Sequence, residues 1–198
     1  MQKNGFLLRK IRNHDELEDV YRLTYKCYLQ KGYCEKNESN MLVHYPQFDE
    51  LEETTVFVVE DDGGHLVGTV STTKDNQYGL HVDVDFHSES DFVRNENTVL
   101  ASSWRIAVDQ DFRAQPQVAR LLVDGSVAYW HVSNIQTCLM TLHPDHERFY
   151  ERYLNCKTLS RTDALKDIYS VAVLMRWDAS RCPLKSRLID IIESNTTH

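Results

Sequence analysis

The sequence predicts a single α/β or α+β domain spanning residues 1–198, and three observations carry that expectation. Segments with strand-like and helix-like periodicity alternate along the chain in the order β-α-(loop)-β-β-(loop)-β-α-β-α-β-α. No repeat or linker interrupts them, and only 7 Gly and 4 Pro are spread through the chain. A chain of 198 residues with 41% apolar and 26% charged side chains is also large enough for one core. Chains of this length bury roughly 70% of their unfolded surface and need no staples.

The elements follow in order. Phe6 to Arg12 alternates as a short strand. Asn13 reads as a helix N-cap, with Glu16 three residues on completing a capping-box pattern. Leu17, Val20, Tyr21, Thr24 and Tyr28 follow at helical spacing, and Gly32 closes that helix. Residues 34–53 are polar and irregular, with a short helix expected near Tyr45 to Leu51. Thr54–Glu60 and Leu66–Thr73 are β-branched runs joined by Asp61-Asp62-Gly63-Gly64, a hairpin. Residues 74–97 are read as a second polar, acidic loop. Thr98–Val108 is expected as a buried strand, Gln117–His131 as a helix and Ile135–Leu142 as a strand. Pro144 opens a helix through Phe149, Tyr150 and Tyr153, with Asp145 and Glu147 in its first turn. Ile168–Trp177 is expected as the last strand and Pro183–Glu193 as a C-terminal helix.

Several function classes are disfavoured by composition. No apolar run approaches the ~18 residues of a membrane span, and the N-terminus lacks a signal-peptide apolar core. Cys27, Cys34, Cys138, Cys156 and Cys182 form an odd, scattered set without a CxxC pair, so the cytoplasm is the expected compartment. His143 and His146 have no third ligand at fitting spacing, so no metal site is expected. The net charge is −8, unevenly placed: residues 1–13 carry +4, residues 14–104 carry −13, and residues 105–176 carry +1. That acidic first half disfavours nucleic acid as a partner.

Three segments point to chemistry. Arg105-Ile-Ala-Val108-Asp-Gln-Asp-Phe-Arg113 ends a strand just before a helix, whose free N–H groups suit a phosphate. His143-Pro144-Asp-His146-Glu-Arg-Phe149-Tyr150-Glu-Arg-Tyr-Leu154-Asn155 is the second. Tyr21-Arg22-Leu-Thr-Tyr25-Lys-Cys-Tyr28-Leu-Gln-Lys-Gly32-Tyr33 is the third, followed by Gly68-Thr69-Val70, Gly79-Leu80-His-Val-Asp83 and Phe86. The first two, with the element order, resemble the acyl-donor motif and the N-P-x-A-x-x-F-Y segment of the GNAT acyltransferases. Asn155 stands where a Gly is usual, and Asn tolerates the left-handed conformation. The third set resembles the Y-R-x-x-Y-x-x-Y-x-x-x-G-Y, G-T-V and G-L-P-x-D…F patterns of FeeM-type N-acyl amino acid synthases, relatives of the LuxI-type homoserine lactone synthases. The resemblance runs from about Tyr21 to Trp177.

This resemblance implies a GNAT-like fold, a mixed and mostly antiparallel sheet flanked by helices. It also implies transfer of a long acyl chain from acyl carrier protein, or acyl-CoA, to the amine of an amino acid or similar small metabolite. The donor would be an acyl-phosphopantetheine, with no permanently bound cofactor. Tyr150 is then expected to protonate the departing thiolate, and a backbone N–H near Val108 to meet the oxyanion. Val108, Arg113, Val118 and Arg120 are the expected donor-side residues, and Arg22, Tyr25, Tyr28 and Arg105 the acceptor-side ones. Tyr21, Tyr25, Tyr28 and Tyr33 are expected as core or tunnel wall, or as lining of the acceptor pocket.

Two departures qualify the pattern. Arg113-Ala114-Gln115-Pro116-Gln117-Val118 replaces every glycine of the R-G-x-G-x-G/A cradle. Side chains there crowd a pyrophosphate, which counts against acetyl-CoA and for a carrier protein's single phosphate. The family's acid in E-x-S-R-x-x-V falls on Ser102, with Asp83 and Asp85 the nearest substitutes by position. The alternatives are an ordinary acetyl-CoA-dependent GNAT and an inactive acyl or carrier-protein binding module. On the donor side, Arg113, Arg120, Arg148, Arg152, Lys157 and Arg161 offer bases for an acidic carrier.

Overall fold

Apolar and β-branched runs form eight strands among the described residues, 1–166 and 168–184 of a computed structural model. In chain order these are β1 (Gln2–Lys3), β2 (Phe6–Lys10), α1 (Leu17–Lys31), α2 (Pro46–Asp49), β3 (Thr54–Glu60) and β4 (Leu66–Lys74). Then come α3 (Asp83–Arg94), β5 (Leu100–Val108), α4 (Pro116–Val132), β6 (Thr137–Leu142) and α5 (Pro144–Leu154). β7 (Lys157–Thr162) and β8 (Ala172–Asp178) complete the strands, and the sheet order is β1-β2-β3-β4-β5-β6-β8-β7. The chain divides into two compact units, Met1–Thr72 with Arg105–Ser126, and Thr73–Trp104 with the segment from Val127 onward. The division falls inside β4, β5 and α4.

In the first unit, Asn13 accepts from the Glu16 N–H at 3.3 Å, and the Glu16 carboxylate accepts from the Arg12 N–H at 2.7 Å. The capping box is therefore reciprocal one residue earlier than its pattern predicts. Gly32 follows α1 at φ 71, as expected for its C-terminal cap. Leu17 and Val20 of α1 pack with Val56 and Val58 of β3, and Leu23 and Cys27 with Ala107. Removing this apolar stripe from water is what holds α1 in place. β2 begins as expected but has a partner that sequence reading missed: β1 pairs with it antiparallel across an Asn4-Gly5 turn with φ of 50 and 79.

In the second unit, β5 and β6 pair in parallel from Leu100↔Thr137 to Ser103↔Met140, and β8 runs antiparallel to β6 from Asp178 to Val173. Leu80, Val82, Phe86 and Val93 pack with Leu100, Leu139 and Leu174. Their spacing makes Asp83–Arg94 a helix, interrupted at Phe86 (φ −133, ψ 44), where a loop over 74–97 is expected from sequence. β7 is a second departure. Its residues alternate between exposed and half-buried positions, none is buried, and it pairs with β8. The last strand starts at Ala172 rather than Ile168, because Leu165 and Ser170 close a turn before it. The expected helix Pro183–Glu193 lies, beyond its first two residues, outside the described residues.

Candidate active site

The donor loop belongs to the first unit. Val108 is half-buried at the end of β5, and its carbonyl accepts from Arg113 Nε at 3.3 Å. Asp109 donates its N–H to the Val67 carbonyl at 2.9 Å, while its carboxylate accepts from the Asp111 N–H at 3.2 Å and from Lys26 Nζ at 2.6 Å. Next, the N–H groups of Phe112, Arg113, Gln115 and Val118 donate to the carbonyls of Asp109, Gln110, Phe112 and Gln115, at 2.9, 3.2, 2.9 and 3.2 Å. Three donors in the stretch that replaces the glycine cradle, and Phe112 just before it, are thus engaged by the loop itself. Arg113 and Arg120 are exposed, whereas the Val118 side chain is wholly buried beside Gly68.

The expected acceptor residues separate into two groups in the same unit. Arg22 is exposed and paired with Glu18, one turn earlier on α1, at 2.8 Å. Tyr25 is buried, its hydroxyl accepting from the Asn37 N–H at 3.0 Å. Tyr28 meets Tyr33 edge to face at 5.8 Å, and burial pushes its phenol up to about 12. Arg105 is the centre of the second group. Its side chain is fully enclosed, and Nη2 donates to the His44 carbonyl at 2.9 Å and to Asp49 Oδ1 and Oδ2 at 2.9 and 2.8 Å. Tyr21 donates to Asp49 Oδ2 at 2.7 Å and turns its ring to the guanidinium, 5.2 Å from the centroid. Burial first, then the Asp49 carboxylate, raise the Tyr21 phenol well above its ordinary value. Arg105 itself sits at φ 53, a left-handed backbone that a non-glycine residue adopts only when its surroundings over-determine it. Asp49 was not singled out from sequence; one acid after Pro46 in an irregular stretch gives no signal.

The second unit holds the position where the family pattern has an acid. Ser102 is wholly buried on β5, and its Oγ lies 2.9 Å from Nδ1 of His81, itself 6% exposed. The His81 ring lies 6.0 Å from that of Trp104, whose Nε1 donates to Thr73 at 3.0 Å. The turn that carries His81 is tightly built. Asp83 Oδ2 accepts from the Leu80 N–H at 2.8 Å and from Arg94 Nη2 at 2.6 Å, and Arg94 also holds Asp75 and Asp91. Gly79 adopts φ +77, and a Cβ there would lie 2.4 Å from Asp83 Oδ2. Only glycine fits this turn without displacing the carboxylate. Asp85 Oδ1 accepts from the Lys166 N–H at 3.0 Å. Both acids offered by the sequence as substitutes for the missing base are therefore engaged in holding backbone. His81 was legible only as the residue in the proline position of the G-L-P-x-D pattern.

Tyr150 also belongs to the second unit. His143 caps α5 by accepting from the Asp145 N–H at 3.3 Å, and Asn155 ends the helix at φ 57, donating its N–H to the Tyr150 carbonyl. Tyr150 is buried, and burial, with the Cys156 and Cys138 thiols nearby, lifts its phenol far above its ordinary value. Arg148, Arg152 and Lys157 are exposed on α5 and β7, while Arg161 is paired with Glu147 at 2.6 Å. Among the described residues, no group of three or more His, Cys, Asp or Glu side chains could hold a metal, and no helix is long and apolar enough to cross a membrane.

Comparisons with known proteins bear on this arrangement. A family model described as N-acyl amino acid synthase FeeM matches residues 19–178. Curated proteins give no match. Among solved structures, FeeM, an N-acyl amino acid synthase from uncultured soil microbes, is similar at 22% identity and TM-score 0.78, over 91% of this chain and 96% of that one. The AHL synthase LasI is similar at 14% identity and TM-score 0.62, over 87% of this chain and 89% of that one. A spermidine N-acetyltransferase from Vibrio cholerae, solved with CoA and spermine, is similar at 16% identity and TM-score 0.59, over 89% and 97%. These likenesses establish the fold, which is the GNAT-like mixed sheet flanked by helices that the sequence predicts. Since the family match covers most of the chain, this protein is an acyltransferase that belongs to the FeeM family of N-acyl amino acid synthases.

Proposed function

We propose that the chain transfers a long acyl group from acyl carrier protein to the amine of an amino acid or a similar small metabolite. The reading keeps the enzyme in the cytoplasm with its thioester donor. The observation that carries the donor choice is the loop Val108–Val118. Its N–H groups at Phe112, Arg113, Gln115 and Val118 are engaged by its own carbonyls, and its glycines are replaced. A pyrophosphate needs several converging N–H donors and close backbone approach. A carrier-borne donor has one phosphate and depends instead on surface charge, for which Arg113 and Arg120 are exposed in one unit and Arg148, Arg152 and Lys157 in the other.

Within this reading the amine nitrogen attacks the thioester carbonyl, the C–N bond forms, and the C–S bond breaks. Tyr150 delivers a proton to the departing thiolate, the role that its place in the His143–Asn155 segment supports. Val108, Arg113, Val118 and Arg120 belong to the donor side, where Val118, its side chain buried and its N–H held by the Gln115 carbonyl, braces the loop. Tyr25 and Tyr28 belong to the acceptor side with Arg22, the charged member exposed to solvent. Arg105 is assigned to shape that side rather than to bind the acceptor's carboxylate, because Asp49 already holds its guanidinium.

The test is incubation of the pure protein with acyl carrier protein thioesters and a panel of amino acids, followed by mass spectrometry for N-acyl products. Product with release of free thiol supports the proposal. No product and no thiol release with any pairing overturns it. Tight CoA binding by calorimetry, with turnover of acetyl-CoA, would replace the carrier protein as donor.

A further inference from the structure

We propose that His81 is the catalytic base that takes the proton from the acceptor amine, with Ser102 as its positioning residue; this rests on the acyltransferase reading. An amine protonated near neutral pH cannot attack a thioester until it loses a proton, so a base within reach of the nitrogen is a chemical requirement. The turn before α3 and the strand β5 bury a pair of side chains suited to it. His81 Nδ1 and Ser102 Oγ are 2.9 Å apart, the serine wholly enclosed and the histidine nearly so. With Nδ1–H donating to Ser102 Oγ, the neutral ring is held in one tautomer and Nε2 becomes its acceptor. This is the logic by which a fixed hydrogen bond on one imidazole nitrogen sets the basicity of the other.

The carboxylates near this turn are otherwise occupied. Asp83 Oδ2 is shared by Arg94 and the Leu80 N–H, and Asp85 holds Lys166. Asp83 Oδ1 is buried with no hydrogen-bond partner among the described residues, while its other oxygen is fixed by the Arg94 guanidinium and the Leu80 N–H. Facing His81 from β5 are Ser102 and Trp104, and neither Leu100–Trp104 nor β6 carries an ionisable side chain other than Cys138. Burial holds the Cys138 thiol protonated, well above its ordinary value. Gly79 and Asp83 thus serve to present His81, since the turn they close fixes the backbone two residues to either side.

The proton balance is complete. One proton passes from the ammonium to Nε2 and from there to solvent. The neutral amine then attacks, the C–N bond forms, and the tetrahedral nitrogen loses its second proton as the C–S bond breaks. That second proton is equivalent to the one delivered to the thiolate, so the products are an amide, a free thiol and one proton released.

Three variants and one spectrum test this. The probe pair is whichever carrier thioester and amino acid the wild type turns over, followed across pH 5–10. His81→Gln is expected to lose 10²–10⁴-fold in kcat near neutral pH, the range of positioned general bases, and to regain rate as pH rises and the amine deprotonates unaided. Ser102→Ala is expected to lose less and to move the acid limb of kcat, leaving KM for the thioester unchanged. In ¹⁵N-histidine spectra the wild-type His81 ring should be the Nδ1–H tautomer, and Ser102→Ala should lose that preference. Wild-type turnover that His81→Gln leaves unchanged would overturn the assignment alone. So would an Nε2–H tautomer in the wild type, which needs no variant to fold. An acid limb abolished by Asp83→Asn and not by His81→Gln would give the role to Asp83. An acyl group on Ser102 in intact-protein mass spectra would make the pair a nucleophilic dyad instead. A wild type that forms no N-acyl product would remove the acyltransferase reading itself, and this assignment with it.

Discussion

Replacing Asp49 with Ala should be among the most damaging single changes in the first unit, far larger than its place in a four-residue helix suggests. The Arg105 side chain is 0% exposed and Asp49 2%, so the variant leaves a guanidinium in a closed site without its carboxylate. Breaking a buried pair from one side costs about 3–5 kcal/mol, because the remaining charge has lost its water and gained nothing. The Tyr21 hydroxyl, which donates to the same carboxylate, loses its acceptor as well. The left-handed backbone at Arg105 adds strain of about 1–2 kcal/mol that its side-chain bonds now offset. For a domain of this size that loss corresponds to a fall in Tm of roughly 6–20 °C. Urea unfolding at pH 7, with the m-value checked for constancy, is the assay. An isosteric apolar pair, Asp49→Leu with Arg105→Met, should recover most of the loss, since the penalty belongs to the stranded charge. A cost below about 1 kcal/mol for Asp49→Ala would refute the reasoning, because it would mean that water reaches the pair.

Three further outcomes follow from other sites. Arg9 hydrogen-bonds Glu16 and Glu60, and chiefly through it both carboxyls are held below their ordinary 4.5, so their contribution is fully present above that value and lost as pH falls below it through their lowered folded values. Arg9→Ala should remove about 1–2 kcal/mol at pH 7 and flatten the acid limb of stability below pH 5, read by urea midpoints against pH. Tyr150→Phe should slow transfer by about 10–100-fold, and thioesters of acidic thiols, whose thiolates leave unaided, should erase most of the difference. Arg113→Glu with Arg120→Glu should weaken carrier-protein docking most at low salt, measured as KM for the carrier thioester at two ionic strengths. Equal KM at both would mean that the exposed bases are incidental.

The strands and helices with an apolar face were legible because burial imposes a period on sequence. α1, the β3–β4 hairpin, β5, α4, β6 and α5 all appear close to their expected bounds. β7 was not legible for the opposite reason: it buries no residue, so Lys157–Thr162 carries no alternation of apolar side chains. α3 did carry a signal, Val82, Phe86 and Val93 at helical spacing, but its acidic surface made it read as loop. The same division holds for the candidate site. Tyr150 stands in a contiguous motif and could be named from sequence. Asp49 meets Arg105 across 56 residues and His81 meets Ser102 across 21, and no local pattern marks either pairing. Even the Asn155 substitution obeys this rule, since a left-handed helix end is a local property and φ 57 follows from it.

Burial also explains what changes when a family acid gives way to Ser102. That position is wholly enclosed in β5. A carboxylate there would cost several kcal/mol in lost hydration to stay ionised unless a cation accompanied it, and burial would push its pKa up. None is close at hand on β5 between Leu100 and Trp104, and Arg94 is already shared among Asp75, Asp83 and Asp91. On the proposed assignment, Ser102 with His81 avoids that desolvation cost while supplying a group that accepts the substrate's proton. The exchange has a consequence at the other end of the pH scale. Imidazoles are protonated between about pH 8 and 5. On the proposed assignment, activity should therefore fall in that range, while the contribution of Glu16 and Glu60 to folded stability, both held below 4.5, persists to lower pH. Activity and stability should part company on acidification.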